Sequence, residues 1–99
     1  MLSNLYTLTE QKEDFFSIKL ADSSHPVFKA HFPTNPLLPG FLMIEIISKV
    51  LKCEIIQIKK VKFLNQAFPQ DELSFNFKGN SVTIKKDEIK VAQIVFNKI

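Results

Sequence analysis

The chain has 99 residues, 45% of them hydrophobic and 23% charged, with 13 basic and 10 acidic side chains and a net charge of +3. This is enough for about one small globular domain that buries roughly two thirds of its unfolded surface, and it is too apolar for a disordered segment. The mild charge lacks the dense basic stripe of a nucleic-acid binder, and no apolar run reaches the roughly 18 residues of a membrane span.

Met1 to Asp14 has no basic segment followed by an apolar core, so a cytoplasmic location is expected. Asp14 to Leu20, with Phe16, Ile18 and Leu20 alternating against Ser17 and Lys19, predicts a half-buried strand. Ala21 to Pro39 carries Pro26, Pro33, Pro36 and Pro39, each of which removes a backbone donor, and predicts an ordered loop without regular structure. Loops of this length inside a small domain are often functional. Gly40 to about Lys52 contains no breaker and is too long for an ordinary strand, so it predicts a helix of about 20 Å. Its polar stripe is thin, Glu45, Lys49 and Lys52, which requires that other elements enclose most of it.

Four further strands are predicted over Glu54 to Asn65, Glu72 to Lys78, Ser81 to Lys86 and Glu88 to Asn97. In the first of these the apolar phase shifts from Ile56 and Ile58 to Val61 and Phe63, which a β-bulge near Lys59 and Lys60 accounts for. Pro69 to Asp71 and Lys86 to Glu88 read as turns, and Gly79-Asn80 as a tight hairpin. Cys53 is the single cysteine and reads as a small core residue. Lys59, Lys60 and Lys62 form either the solvated face of a strand or a docking patch for an acidic partner. No linker or repeat divides residues 1–99, so one domain is expected. The element order gives an α+β fold, a curved antiparallel sheet wrapped around one central helix. A sheet edge left open in such a monomer favours pairing into a homodimer.

His31 and Glu45 in isolation would read as a loop histidine and an ordinary helical partner of Lys49. The run around them is more specific: His31-Phe32-Pro33, then Pro36, Pro39-Gly40, Phe41-Leu42 and Glu45, all at fixed spacings within fifteen residues. This string resembles the signature of the 3-hydroxyacyl-[acyl-carrier-protein] dehydratases of the FabZ and FabA type, which have the hot-dog fold. The resemblance continues through Lys60-Val61-Lys62-Phe63 and Pro69-Gln70-Asp71 into the closing strand.

The resemblance implies that His31 is the catalytic base and Glu45 the catalytic acid, contributed by different protomers to two shared sites. It implies that the backbone N–H of Gly40 binds the thioester carbonyl and that Phe32, Pro39 and Phe41 line the substrate site. It also implies acyl carrier protein as the partner that delivers the substrate, and no metal or organic cofactor. The chemistry suits these residue types. A neutral imidazole can take the C2 proton near neutral pH. A carboxyl whose pKa is raised by burial can protonate the leaving hydroxyl. N–H groups at a helix start can hold charge developing on the thioester oxygen. His25, before a proline, is expected to be a loop residue. Ala30 and Thr34 stand where the family usually has Gly, Lys49 where it usually has Gln, and the chain is shorter than typical members. Two further readings stay open: an accessory hot-dog subunit that binds acyl carrier protein without catalysis, supported by Lys49, and a hot-dog acyl thioesterase.

Overall fold

The computed structural model describes residues 3–30 and 34–99. Its elements in chain order are β1 (Tyr6–Lys12), β2 (Phe15–Leu20), α1 (Pro26–Ala30), α2 (Gly40–Leu51), β3 (Ile55–Phe63), β4 (Glu72–Lys78), β5 (Ser81–Lys86) and β6 (Ile89–Lys98). The six strands form one antiparallel sheet in the order β1-β2-β4-β5-β6-β3.

Alternation in the strands decides which face is dry. Phe16, Ile18 and Leu20 of β2, Leu73 and Phe75 of β4, Val82 and Ile84 of β5, and Ala92, Ile94 and Phe96 of β6 are all buried. They form one cluster with Leu42, Met43, Ile46 and Ile47 of α2. The i, i+1, i+4, i+5 spacing of those four helical residues defines the stripe that α2 turns toward the sheet. Within the cluster the Phe16 and Phe75 rings stack at 4.4 Å between centroids, and Phe77 meets Phe96 edge-on at 6.5 Å. The architecture is thus the expected one, an antiparallel sheet around a central helix.

Three details differ from the sequence reading. A first strand, β1, precedes the one expected. Its only apolar side chains are Tyr6 and Leu8, and it lies at the sheet edge with every residue after Tyr6 exposed, so no buried alternation announces it. What holds it is the ladder to β2, a Thr9–Ser17 hydroxyl hydrogen bond of 2.7 Å, and Leu5, which is fully buried just before it. Second, the proline-rich connection contains the short helix α1. Pro26 takes its first position, where a missing N–H costs nothing. Third, His25 is a loop residue as expected, in the bend just before α1, but a buried one. Its Nδ1 accepts the Val27 N–H at 3.1 Å, so the proton sits on Nε2, which donates to the Ser3 carbonyl at 2.8 Å.

Turns and irregularities match the residues that caused them. Gly79, at φ 60°, and Asn80 join β4 to β5, while Asp87, at φ 52°, lies in the β5–β6 turn. The ladder of β3 with β6 shifts register between Ile58 and Lys60, where the apolar phase slips, and again between Ile55 and Gln57. Helix α2 stops at Lys52, which adopts the left-handed conformation and returns its N–H to the Lys49 carbonyl. Ser48 Oγ donates to the Cys53 carbonyl at 2.6 Å, closing the same turn. Cys53 itself is only partly buried.

A candidate active site at the start of the central helix

Helix α2 begins without a side-chain cap. Pro39, in extended geometry, has no N–H and no polar side chain, and its carbonyl accepts the Leu42 N–H at 3.0 Å. The Gly40 N–H therefore lies at the positive end of the helix, where Pro39 offers it no side-chain acceptor, in the arrangement that binds anions and oxyanions. The approach to this point is fixed by Leu38, whose N–H donates to the Ala67 carbonyl at 2.8 Å and whose side chain is buried.

The structure supplies a reason for glycine at position 40 that the sequence reading missed. A methyl group built there would lie within 3.0 Å of three Phe63 ring atoms, Cε1 and Cε2 at 2.7 Å and Cζ closer still. The ring of Phe63, from the end of β3, thus lies against the helix start and occupies the space a side chain would need. The backbone beyond it is tied to β6 by Leu64 and Asn65, both donating to the Val91 carbonyl, at 2.8 and 3.2 Å. The sequence carried only part of the signal, the post-bulge phase to which Phe63 belongs; it is the register opposite Ala92 that turns the ring toward the helix.

Phe41 is 51% exposed and Phe63 50%. Glu45 stands one turn beyond Phe41 on the same side of α2 and is also exposed, as is Lys49 another turn on. Glu45 is therefore not enclosed in the single chain, contrary to the burial expected for a proton donor, because the inward stripe of the helix is Leu42, Met43, Ile46 and Ile47. Glu45 and Lys49 form no ion pair with each other; those among the described residues are Lys12–Glu10 and Lys86–Asp71. The site thus brings together Pro39, Gly40, Phe41 and Glu45 of the sequence-predicted set and adds Phe63. His31 and Phe32 lie outside the described residues. Among the described residues, no group of His, Cys, Asp and Glu side chains could hold a metal ion, and no helix is long and apolar enough to cross a membrane.

The exposed apolar residues concentrate at the β3 edge: Ile56, Ile58, Val61, Phe63 and Leu64, with Phe41 beside them. The other edge, β1, exposes only Leu8 among its large apolar side chains and carries an exposed Lys12–Glu10 ion pair. β3 thus leaves both a backbone edge and an apolar strip uncovered next to the start of α2.

Comparison with known proteins agrees with this geometry. Residues 8–94 match the ApeI-like family, described as ApeI dehydratase. The 3-hydroxyacyl-[acyl-carrier-protein] dehydratase FabZ of Natranaerobius thermophilus is 33% identical over 89 residues, 75% of this chain and 63% of that protein. The protein of the same name from Syntrophomonas wolfei is 30% identical over 92 residues, with the same coverage of 75% and 63%. The chain therefore spans less than two thirds of the length of these curated relatives. A solved structure, the dehydratase heterocomplex ApeI:P from Xenorhabdus doucetiae, superposes with a TM-score of 0.70 at 22% identity, covering 93% of each chain, and shows the shared hot-dog fold.

Proposed function

Because the chain belongs to the ApeI-like family of dehydratases, we propose that it is a hydro-lyase that converts a 3-hydroxyacyl thioester, carried on acyl carrier protein, to the trans-2-enoyl thioester. The observation that carries this reading is the uncapped helix start at Pro39-Gly40 with Glu45 on the exposed side of the same helix, beside an uncovered apolar strip.

In the reaction, His31 takes the proton from C2, and electron density moves onto the thioester oxygen, held by the Gly40 N–H. The C2=C3 double bond forms as the C3–O bond breaks. Glu45 delivers a proton to the departing hydroxyl, which leaves as water. Phe32, Pro39 and Phe41 line the acyl-binding surface.

Two copies joined edge to edge through β3 would cover Ile58, Val61 and Phe63 and enclose Glu45, giving it the burial that a proton donor requires. The assembly is therefore a homodimer or a higher even-numbered oligomer. The protein acts in the cytoplasm, in fatty acid or related lipid or polyene synthesis.

The test follows enoyl absorbance with 3-hydroxybutyryl and longer 3-hydroxyacyl thioesters, on carrier protein and on coenzyme A, for the wild type, His31→Ala and Glu45→Gln. Turnover lost in both variants is the expected result. No turnover by a folded oligomer that still binds acyl carrier protein would overturn it in favour of a binding subunit. Release of free thiol would indicate a thioesterase instead.

A further inference from the structure

Lys60 and Lys62 point away from α2. They pair with Val95 and Gln93 of β6, whereas their neighbours Val61 and Phe63 pair with the buried Ile94 and Ala92. One strand further across, Ser81 and Thr83 of β5 pair with the same Val95 and Gln93. The six side chains Lys60, Lys62, Ser81, Thr83, Gln93 and Val95 line a cleft of ≈ 190 Å³ on the outer face of the sheet. From strand geometry, the lysines are about 7 Å apart along β3, and β5 lies roughly 10 Å away across β6.

Apart from Val95, the lining has one chemical character. Two ammonium groups can close over one side, two hydroxyls stand on the other, an amide lies between, and no carboxylate contributes. Neither lysine is in an ion pair among the described residues. The volume equals about six waters at their liquid share of about 30 Å³, room for one or two phosphate groups. Ammonium, hydroxyl and amide N–H groups are donors that phosphate oxygens accept, with charge assistance from the lysines. The cleft is on the sheet face opposite Gly40, Phe63 and Glu45, so it is separate from the candidate active site.

We propose that this outer-face cleft is a binding site for a phosphate or diphosphate group. The group is either a free inorganic anion or one carried by a larger molecule. The proposal does not depend on the dehydratase reading.

The test is an amide-resonance titration of the ¹⁵N-labelled full chain with inorganic phosphate, pyrophosphate and coenzyme A, each at constant ionic strength against chloride. Saturable shifts at Ser81, Thr83, Gln93 and Val95 are expected, weakened at least about tenfold in the Lys60→Gln/Lys62→Gln variant, whose other resonances report an intact fold. Coenzyme A binding more tightly than pyrophosphate would assign the phosphate to a larger molecule that carries it, and equal or weaker binding would assign it to a free anion; both support the site. Shifts that never saturate, match those of chloride, or persist in the double variant would overturn it. So would capture of an acidic carrier protein through Lys60 and Lys62 with no response to phosphate.

Discussion

Replacing Gly40 with Ala tests the contact that organises the candidate site. The added methyl would lie within 3.0 Å of three atoms of the Phe63 ring, so the ring must leave. In the single chain Phe63 is 50% exposed, which gives it room to swing outward. The cost is the apolar area it now buries. A Phe side chain offers about 200 Å², half of it covered here, so full displacement at about 25 cal/mol/Å² loses about 2.5 kcal/mol. Alanine's higher helix propensity returns up to about 1 kcal/mol, leaving a net loss of about 1.5 kcal/mol. Phe63→Ala alone should cost about 2 kcal/mol, the same lost burial less the part that the retained Cβ keeps covered. With no ring to displace, adding Gly40→Ala to Phe63→Ala should then cost nothing or stabilise slightly. The assay is urea unfolding of the wild type, both single variants and the double variant at one fixed protein concentration. A coupling of about 1.5 kcal/mol or more, with the double variant more stable than the sum of the singles, is expected. Additivity within about 0.5 kcal/mol would refute the contact.

Three further outcomes are expected. Phe75→Ala, which removes one of the two stacked and buried rings at the centre of the sheet, should cost about 3–5 kcal/mol in the same unfolding assay. Lys86→Met should cost about 0.5–1.5 kcal/mol in chemical denaturation, because Lys86 holds Asp71 at 3.1 Å and lies 4.6 Å over the Phe68 ring. The hydroxyl and N–H of Ser24 hold the Asp22 carboxyl below its ordinary value of 3.8. A depressed folded-state pKa gives stability that is present above the unfolded value and lost as pH falls through the folded one. The stability difference between wild type and Asp22→Asn should therefore be constant from pH 7 down to about 5 and shrink below pH 4; a difference that grows on acidification would contradict this.

Much of the fold was legible because burial and periodicity coincide. Phe16, Ile18 and Leu20 alternate and are buried; Leu73 and Phe75 do the same, and the unbroken run after Gly40 is a helix. β1 was hidden because an edge strand with a solvated surface needs no alternation, and its partner strand supplies its order. His25 was hidden because its role depends on the Ser3 carbonyl, 22 residues away in sequence. At the site, the spacing of Pro39, Gly40 and Glu45 carried the reading, while Phe63 escaped it. Nothing local in Lys62-Phe63-Leu64 indicates that this ring lies over the start of a helix 23 residues before it; that follows only from the β3–β6 register. The outward face of α2 was legible as the stripe Glu45, Lys49 and Lys52, all of which are exposed; the enclosure expected of Glu45 as a proton donor is what the single chain does not supply.

The place of β3 in the sheet has a consequence for the order in which the molecule assembles. β4, β5 and β6 follow one another through two tight turns, and β1 and β2 are likewise consecutive, so these ladders form by local closure. β3 instead pairs only with β6, across two complete strands, and β2 meets β4 across α1, α2 and β3, so both of these ladders close larger loops at a greater entropic cost. A strand at a sheet edge, as β3 and β1 both are, is held by one ladder alone and opens more readily than the strands between. Since β3 carries Phe63, each opening uncovers the start of α2, and in native-state hydrogen exchange the amides of β3 should exchange ahead of those of β4 and β5. The strand that completes the site is thereby less permanent than the interior strands β4 and β5, and whatever binds along its free edge fixes the site in its formed state.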